Sequence, residues 1–264
     1  MYPELFRIGD FVISSFGAMV AIAFLAAYWV SSLEFKRKRL DEKLLGNVFV
    51  AAMVGGIVGA KILYLFENVP VSEIMRNPLS HLFSRGGLTF YGGFFGAALL
   101  VWIVSKKTKV SFWTIMDGLA PSIALGHSIG RIGCLLVGDD YGVPSDLPWA
   151  MAFPNGLPPT TERVHPTQIY EAILLAIVFV ILWKVRKRNM PSGWLFSLCL
   201  ILAGTERFLV EFIRATSPSP IPGLSLAQVM ALGLIIVGVI KLIQTRVLKN
   251  TAQNEAMKNK KIPR

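Results

Sequence analysis

The sequence is poor in cysteine, histidine and charge, and each shortage disfavours a class of protein. Its 264 residues include 2 Cys and 3 His, too few for a disulfide framework, and they show no metal-ligand spacing. Charged residues make up only 16% of the chain, which argues against intrinsic disorder and against a coiled coil. We therefore expect neither a disulfide-stapled secreted fold nor a bound metal.

Apolar residues are what the chain has in excess. Together Ala, Val, Ile, Leu, Met, Phe, Trp, Tyr and Cys supply 53% of it, more than a soluble domain of this size can bury. A helix needs about 20 mainly apolar residues to cross a bilayer. Windows of that kind lie at 11–33, 44–66, 88–105, 111–135, 168–184, 193–213 and 224–245. The sequence predicts an all-α, polytopic membrane protein with seven transmembrane helices and no cleaved signal peptide.

The net charge of +11 is explained by membrane topology, so a nucleic-acid partner is not required. Nineteen of the 27 Lys and Arg fall in clusters near residues 36–43, 106–109, 184–188 and 241–264. All four clusters lie on one side of the seven predicted spans, and the positive-inside rule makes that side the cytoplasm. We expect an outside N-terminus, one transmembrane domain over 1–248, and a polar, disordered cytoplasmic tail over 249–264.

Of the eight remaining basic residues, Lys61, Arg131 and Arg207 lie in or at the ends of apolar windows. A charge there is costly and marks a ligand or a partner, although internal ion pairing or snorkelling is the alternative. Arg7, Arg76 and Arg163 lie in polar outer segments, where we expect solvated surface charges.

A charged stripe surrounds Arg207. The residues Arg207, Glu211 and Arg214 recur at i, i+4 and i+7, so on a continuous helix they share one face. Glu211 would then orient and partly neutralise both guanidinium groups. The positive charge left over suits an anion such as a phosphate.

Three further motifs lie near predicted span ends. Arg131 is flanked by glycines in Gly126-His127-Ser128-Ile129-Gly130-Arg131-Ile132-Gly133-Cys134, which precedes Gly138-Asp139-Asp140-Tyr141-Gly142; helix packing explains the glycines but not the arginine. Paired glycines in Arg85-Gly86-Gly87-Leu88-Thr89-Phe90-Tyr91-Gly92-Gly93 suggest irregular backbone lining a cavity, or an interfacial anchor at Tyr91. The run His165-Pro166-Thr167-Gln168-Ile169-Tyr170-Glu171 predicts a helix start with Thr167 as its cap.

Taken together, these motifs resemble the bacterial phosphatidylglycerol-prolipoprotein diacylglyceryl transferase family. The glycine-flanked Arg131, the Arg85 and His165 motifs, and Arg207 with Glu211 and Arg214 occur in the family's order and spacing over nearly the whole chain. The resemblance implies an enzyme of the bacterial inner membrane that moves the diacylglyceryl group of phosphatidylglycerol onto the lipobox cysteine thiol of prolipoproteins. That chemistry needs no metal or organic cofactor.

The resemblance also implies roles for individual residues. Arg131 would bind phosphatidylglycerol with Arg214 and Gly142, and Arg207 would act catalytically with Glu211. A thiolate attacks the glyceryl carbon while a phosphate ester leaves, so the site must stabilise negative charge and accept a proton. Tyr91 and Asp139 fall at positions that would handle that proton.

Several positions depart from the family pattern. The family has His where this chain has Tyr91, and its Asn and Glu are here Cys134 and Asp139. Three interpretations stay open: the same reaction with Tyr91, Asp139 or His127 in the acid/base role; a transferase for another acceptor, with Cys134 as nucleophile; or a non-catalytic lipid-binding protein that keeps the anion site.

Overall fold

The computed structural model describes residues 2–8, 11–77, 80–81, 89–214 and 223–260. These residues are mostly helical, in the order α1 (Ser15–Arg37), α2 (Glu42–Asn68), α3 (Val71–Arg76), α4 (Phe90–Thr108), α5 (Phe112–Val137), α6 (Thr167–Val185), α7 (Trp194–Val210) and α8 (Leu226–Lys260). Each of the seven predicted windows overlaps one long helix, and the short α3 lies between the second and third windows.

Five of these helices, α1, α2, α5, α6 and α8, are long and apolar enough to cross a membrane. The remaining two long helices, α4 with 19 residues and α7 with 17, are not among these five. Large apolar side chains such as Ile173 and Ile177 are half exposed on the outer face of α6, which is the face that lipid covers. The chain is therefore a multi-pass membrane protein.

Two short antiparallel hairpins interrupt the helical architecture and were not predicted. The first, β1 (Glu4–Ile8) with β2 (Phe11–Ser14), pairs Glu4 with Ser14 across a register shift. The second, β3 (Met151–Phe153) with β4 (Thr160–Val164), lies in the polar segment between α5 and α6. Strands of three to five residues give too little alternation to be recognised from sequence.

By packing, the chain divides into two compact units, the first formed by Met1–Ser31 with Met116–Arg264 and the second by Ser32–Ile115. In the first unit, α6 buries Leu175, Val178 and Leu182 on one face. The N-terminal hairpin of this unit is held at the end of α5, because the Tyr2 amide donates to the Leu136 carbonyl over 3.0 Å.

A buried carboxylate fixes the start of α7 in the first unit. The Asp117 side chain on α5 accepts hydrogen bonds from the backbone amides of Gly193 (2.8 Å) and Phe196 (2.9 Å). These amides are at the helix N-terminus, where no intrahelical acceptor is available. Asp117 thereby fixes the helix that carries Arg207.

The second unit contains a close crossing of α2 and α4. A Cβ atom added at Gly55 or Gly59 would overlap the backbone of Gly96 or Gly92, and the reverse additions would overlap in the same way. Small residues let the two backbones touch, as is common in membrane helix pairs. The prediction of irregular backbone around Tyr91 is wrong for residues 90–93, which form regular helix. Residues 85–88 of that motif lie outside the described residues.

The polar C-terminal segment also differs from expectation. Helix α8 continues to Lys260, so the segment expected to be disordered is helical for most of its length. Its Ala, Gln, Glu, Met and Lys residues favour helix, whereas the prediction of disorder considered only that the segment is polar.

Candidate active site

Three arginines of the first unit surround one buried carboxylate. Glu171 has a side chain that is 1% exposed. Its Oε2 lies 2.7 Å from Arg131 Nε, and its Oε1 lies 2.8 Å from Arg207 Nη1 and 3.4 Å from Arg214 Nη1. A carboxylate in such a place is tolerated only because it is paired.

The four charged groups come from different elements. Arg131 lies on α5, Glu171 on α6 and Arg207 on α7, while Arg214 directly follows the 3-10 turn Glu211–Ile213. The cluster therefore fixes the mutual positions of three helices of the first unit. In the sequence, Glu171 stands out only as part of the motif that predicts a helix start. The cost of a charge in an apolar window, which singles out the basic residues, applies to it too.

The start of α6 is tied to the segment that follows α5. The Thr167 hydroxyl donates to the Asp140 carbonyl (2.6 Å), and the Gln168 amide donates to the Asp139 carbonyl (2.5 Å). The predicted N-cap role of Thr167 is wrong, because Pro166 is the N-cap residue and makes no side-chain cap. The Thr167 side chain instead holds the loop that carries Asp139 and Asp140.

Asp140 is a second carboxylate against the arginines. Its Oδ2 lies 2.9 Å from Arg131 Nη1, and its Oδ1 forms an ion pair with Arg214 Nη2. Burial opposes the charged form, but the charges and hydrogen bonds of Arg214 and Arg131 outweigh it and lower the pKa of this carboxyl. Asp140 is therefore ionised throughout the physiological range.

Among the described residues, Glu211 forms its ion pair with Arg207. Its Oε2 lies 2.7 Å from Arg207 Nη2, and its Oε1 accepts a hydrogen bond of 2.6 Å from the Ser225 hydroxyl. The α-helix ends at Val210, so Arg214 leaves the predicted common face and pairs with Glu171 and Asp140 instead. The predicted pairing of Glu211 with Arg207 is present, but the predicted pairing of Glu211 with Arg214 is wrong.

Cys134 and Asp139 lie beside this network. Cys134 is buried, and its Sγ is 3.9 Å from Arg131 Nη1. Burial raises the pKa of the Asp139 carboxyl. Among the described residues, Cys134, Asp139 and Asp140 form a group whose ligand atoms lie within 4.8 Å of one another. Because Arg131 and Arg214 already neutralise Asp140, that group is poorly suited to a cation.

Gly142 supplies a close backbone approach next to Arg214. Its amide donates to the His165 carbonyl (2.8 Å), and it forms an isolated β-bridge with Arg214. A Cβ here would overlap the Ile213 carbonyl and crowd His165 and Thr167. Only glycine therefore allows Arg214 to keep this position.

Two other predicted residues, Tyr91 and Lys61, belong to the second unit. Tyr91 is partly buried near the start of α4. Lys61 is buried, with its Nζ 5.6 Å from the centre of the Tyr64 ring. Arg85 lies outside the described residues. Arg163 is exposed, as expected, but its guanidinium donates to the carbonyls of Leu147, Pro148 and Ala150.

Two buried or partly buried titratable groups, His127 and Glu206, also face the cluster. The charges of Arg131, Arg207 and Arg214 act on both side chains. Glu206 is 5% exposed, and its Oε1 has no hydrogen-bond partner among the described residues. His127 was one of the residues predicted to handle the proton, whereas Glu206, which adjoins Arg207 in an apolar window, was not predicted.

Proteins of one named family are similar to this chain over most of its length. The family model described as prolipoprotein diacylglyceryl transferase matches residues 3–244. The phosphatidylglycerol--prolipoprotein diacylglyceryl transferase of Clostridium tetani is 35% identical over 241 residues, covering 90% of this chain and 96% of its own length. The enzyme of the same name from Bordetella avium is 36% identical over 217 residues, covering 80% and 81%. That from Vibrio cholerae is 32% identical over 257 residues, covering 91% and 90%. The chain belongs to the prolipoprotein diacylglyceryl transferase family.

Proposed function

We propose that this chain transfers the diacylglyceryl group of phosphatidylglycerol to the thiol of a prolipoprotein cysteine. The observation that carries the proposal is the convergence of Arg131, Arg207 and Arg214 on Glu171. Guanidinium groups held in fixed positions are the donors best suited to a phosphodiester anion. The names of the relatives supply the donor and acceptor.

The reaction forms a sulfur–carbon bond and breaks the carbon–oxygen bond to phosphate. The thiol gives its proton to a base, the sulfur attacks the glyceryl carbon, and the glycerol phosphate leaves with the electron pair. Charge therefore grows on the phosphate oxygen as the bond breaks. Arginines already oriented by carboxylates stabilise that charge without further reorganisation.

Each site residue has a role in this scheme. Arg131 and Arg214 bind the phosphate of the donor, and the close backbone approach at Gly142 holds Arg214 beside it. Arg207, held by Glu211, stabilises the leaving group. Asp139 and Tyr91 are the groups that we assign to the proton of the thiol, and no metal or organic cofactor is needed.

We also propose the finer membrane arrangement. All seven long helices span the bacterial inner membrane, with the N-terminus outside and the C-terminus in the cytoplasm. Residues 1–248 act as one transmembrane transferase domain, and the basic segment 249–264 meets anionic headgroups at the cytoplasmic surface. Arg131 and Arg207 then lie toward the outer leaflet, where prolipoproteins emerge.

The test is complementation in a bacterium depleted of its own transferase. Expression of this chain restores lipidation of a model prolipoprotein, followed by gel shift and mass spectrometry. Arg131→Ala and Arg207→Ala each reduce lipidation at least about a hundredfold, because each removes a donor to the developing charge. Arg76→Ala, an exposed arginine on α3, is the matched control and keeps full activity.

A further variant separates the alternatives. Cys134→Ser retains most activity if the prolipoprotein thiol is the only nucleophile. Loss of activity in Cys134→Ser with normal membrane expression would favour covalent chemistry on another acceptor. An active Arg131→Ala or Arg207→Ala protein would contradict the phosphate-binding role.

A further inference from the structure

The three carboxylates that pair with the site arginines differ in accessibility. The side chains of Glu171 and Glu211 are 1% and 2% exposed, whereas that of Asp140 is 41% exposed. Glu171 and Glu211 are therefore fixed parts of the interior. Asp140 is the one carboxylate of this set that a molecule arriving from outside meets first.

Asp140 bridges two guanidinium groups in the way that a phosphate does. One of its oxygens pairs with Arg131 and the other with Arg214. Two anionic oxygens on adjacent arginines are the arrangement that a phosphodiester would adopt on the same pair. The Asp140 carboxylate thus makes the contacts that the proposed donor needs.

The backbone around Asp140 belongs to a tight turn, not to a helix or strand. Asp140 has a φ of +62° and Gly138 a φ of +78°, and aspartate is one of the few non-glycine residues that adopt this left-handed conformation. The turn is anchored through its backbone: Thr167 and Gln168 donate to its carbonyls, and its Gly138 and Asp139 amides donate to the Cys134 carbonyl. The carboxylate can therefore change rotamer without breaking the anchors of the turn.

We propose that Asp140 is an internal competitor that occupies the phosphate position of Arg131 and Arg214 until a lipid phosphodiester displaces it. This inference rests on the proposed function. A free anion gains contacts with the two arginines only. It must compete for them with a carboxylate that the chain holds beside them at high effective concentration. Phosphatidylglycerol adds the burial of its acyl chains, so it displaces Asp140 where inorganic phosphate does not.

The experiment measures inhibition of the purified full chain by inorganic phosphate. Transfer from phosphatidylglycerol vesicles to a lipobox peptide is followed at constant ionic strength, with chloride replaced by phosphate. In the wild-type protein, phosphate inhibits only weakly. In Asp140→Asn the internal competitor is neutral, so the inhibition constant for phosphate and the KM for phosphatidylglycerol both fall about tenfold.

The matched control is Asp146→Asn, which removes the same charge from an exposed position of the same polar segment. It leaves both constants at the wild-type value. Asn also tolerates the left-handed conformation, so Asp140→Asn keeps the turn. Asp140→Ala is a second variant with the same expected direction, and the wild-type measurement needs no variant at all.

Three results would overturn the proposal: strong inhibition of the wild-type protein by phosphate, unchanged constants in both Asp140 variants, or a rise in KM when the charge is removed. The last would mean that Asp140 helps to bind the donor. Failure of the proposed function is distinguishable, because the wild-type protein would then transfer nothing.

Discussion

At the residue scale, Glu171 is the group on which the site depends. Its two oxygens face three guanidinium groups and its side chain is almost completely buried. Removing one partner from a buried ionic network leaves charges without compensation. Glu171 is thus both a structural anchor and the group that orients Arg131, Arg207 and Arg214 for the donor.

We expect Glu171→Gln to lower the free energy of unfolding by about 3–5 kcal/mol and to abolish measurable transfer, because three partly buried cations lose their common buried partner. Thermal unfolding in detergent and the lipidation assay measure the two effects. The control is Glu162→Gln, which changes an exposed carboxylate on β4. A Glu171→Gln protein with wild-type stability would show that the arginines do not need this carboxylate.

Residues that contrast with their surroundings are the ones that a single sequence can single out. Arg131 and Arg207 were found because a cation in an apolar window has no ordinary explanation. Asp140 and Glu206 were not predicted because the cost of a charge in or near an apolar window was considered for basic residues only. The ion-pair partners of Asp140, Arg131 and Arg214, are brought to it by the fold, and a single sequence does not report such distances.

At the element scale, the helices were well predicted and the connections were not. Long apolar windows give a strong signal, and each of the seven corresponds to a helix. The β-hairpins lie in polar segments of a few residues, where the pattern is too short to interpret. The end of α7 at Val210 was missed because the charged stripe has helical spacing beyond the point where the α-helix stops.

The crossing of α2 and α4 allows a test at this scale. Gly59→Ala should destabilise the protein by about 1–3 kcal/mol, because the added methyl overlaps the Gly92 carbonyl. Gly46→Ala on the same helix meets nothing within 4 Å, so it should be neutral or stabilise by up to about 1 kcal/mol. Thermal unfolding of the two variants in one detergent compares them. Equal stability would contradict the close backbone packing.

At the scale of the whole molecule, the placement of the basic residues predicts the orientation in the membrane. We expect cysteine introduced at Asp146 to react with a membrane-impermeant maleimide in intact cells. Cysteine introduced at Lys187 should react only after permeabilisation. The two native cysteines are buried, so the background is low. Labelling with the opposite pattern would reverse the proposed topology and would put the arginine cluster on the cytoplasmic side.

The most direct test of the account is transfer by the purified protein. Wild-type protein in phosphatidylglycerol vesicles is incubated with a lipobox peptide, whose mass is then measured beside that of a peptide exposed to Arg207→Ala. The account predicts that the wild-type protein adds the mass of one diacylglyceryl group, and that the variant leaves the peptide unchanged. An unmodified peptide with the wild-type protein, or equal modification by the variant, would contradict it.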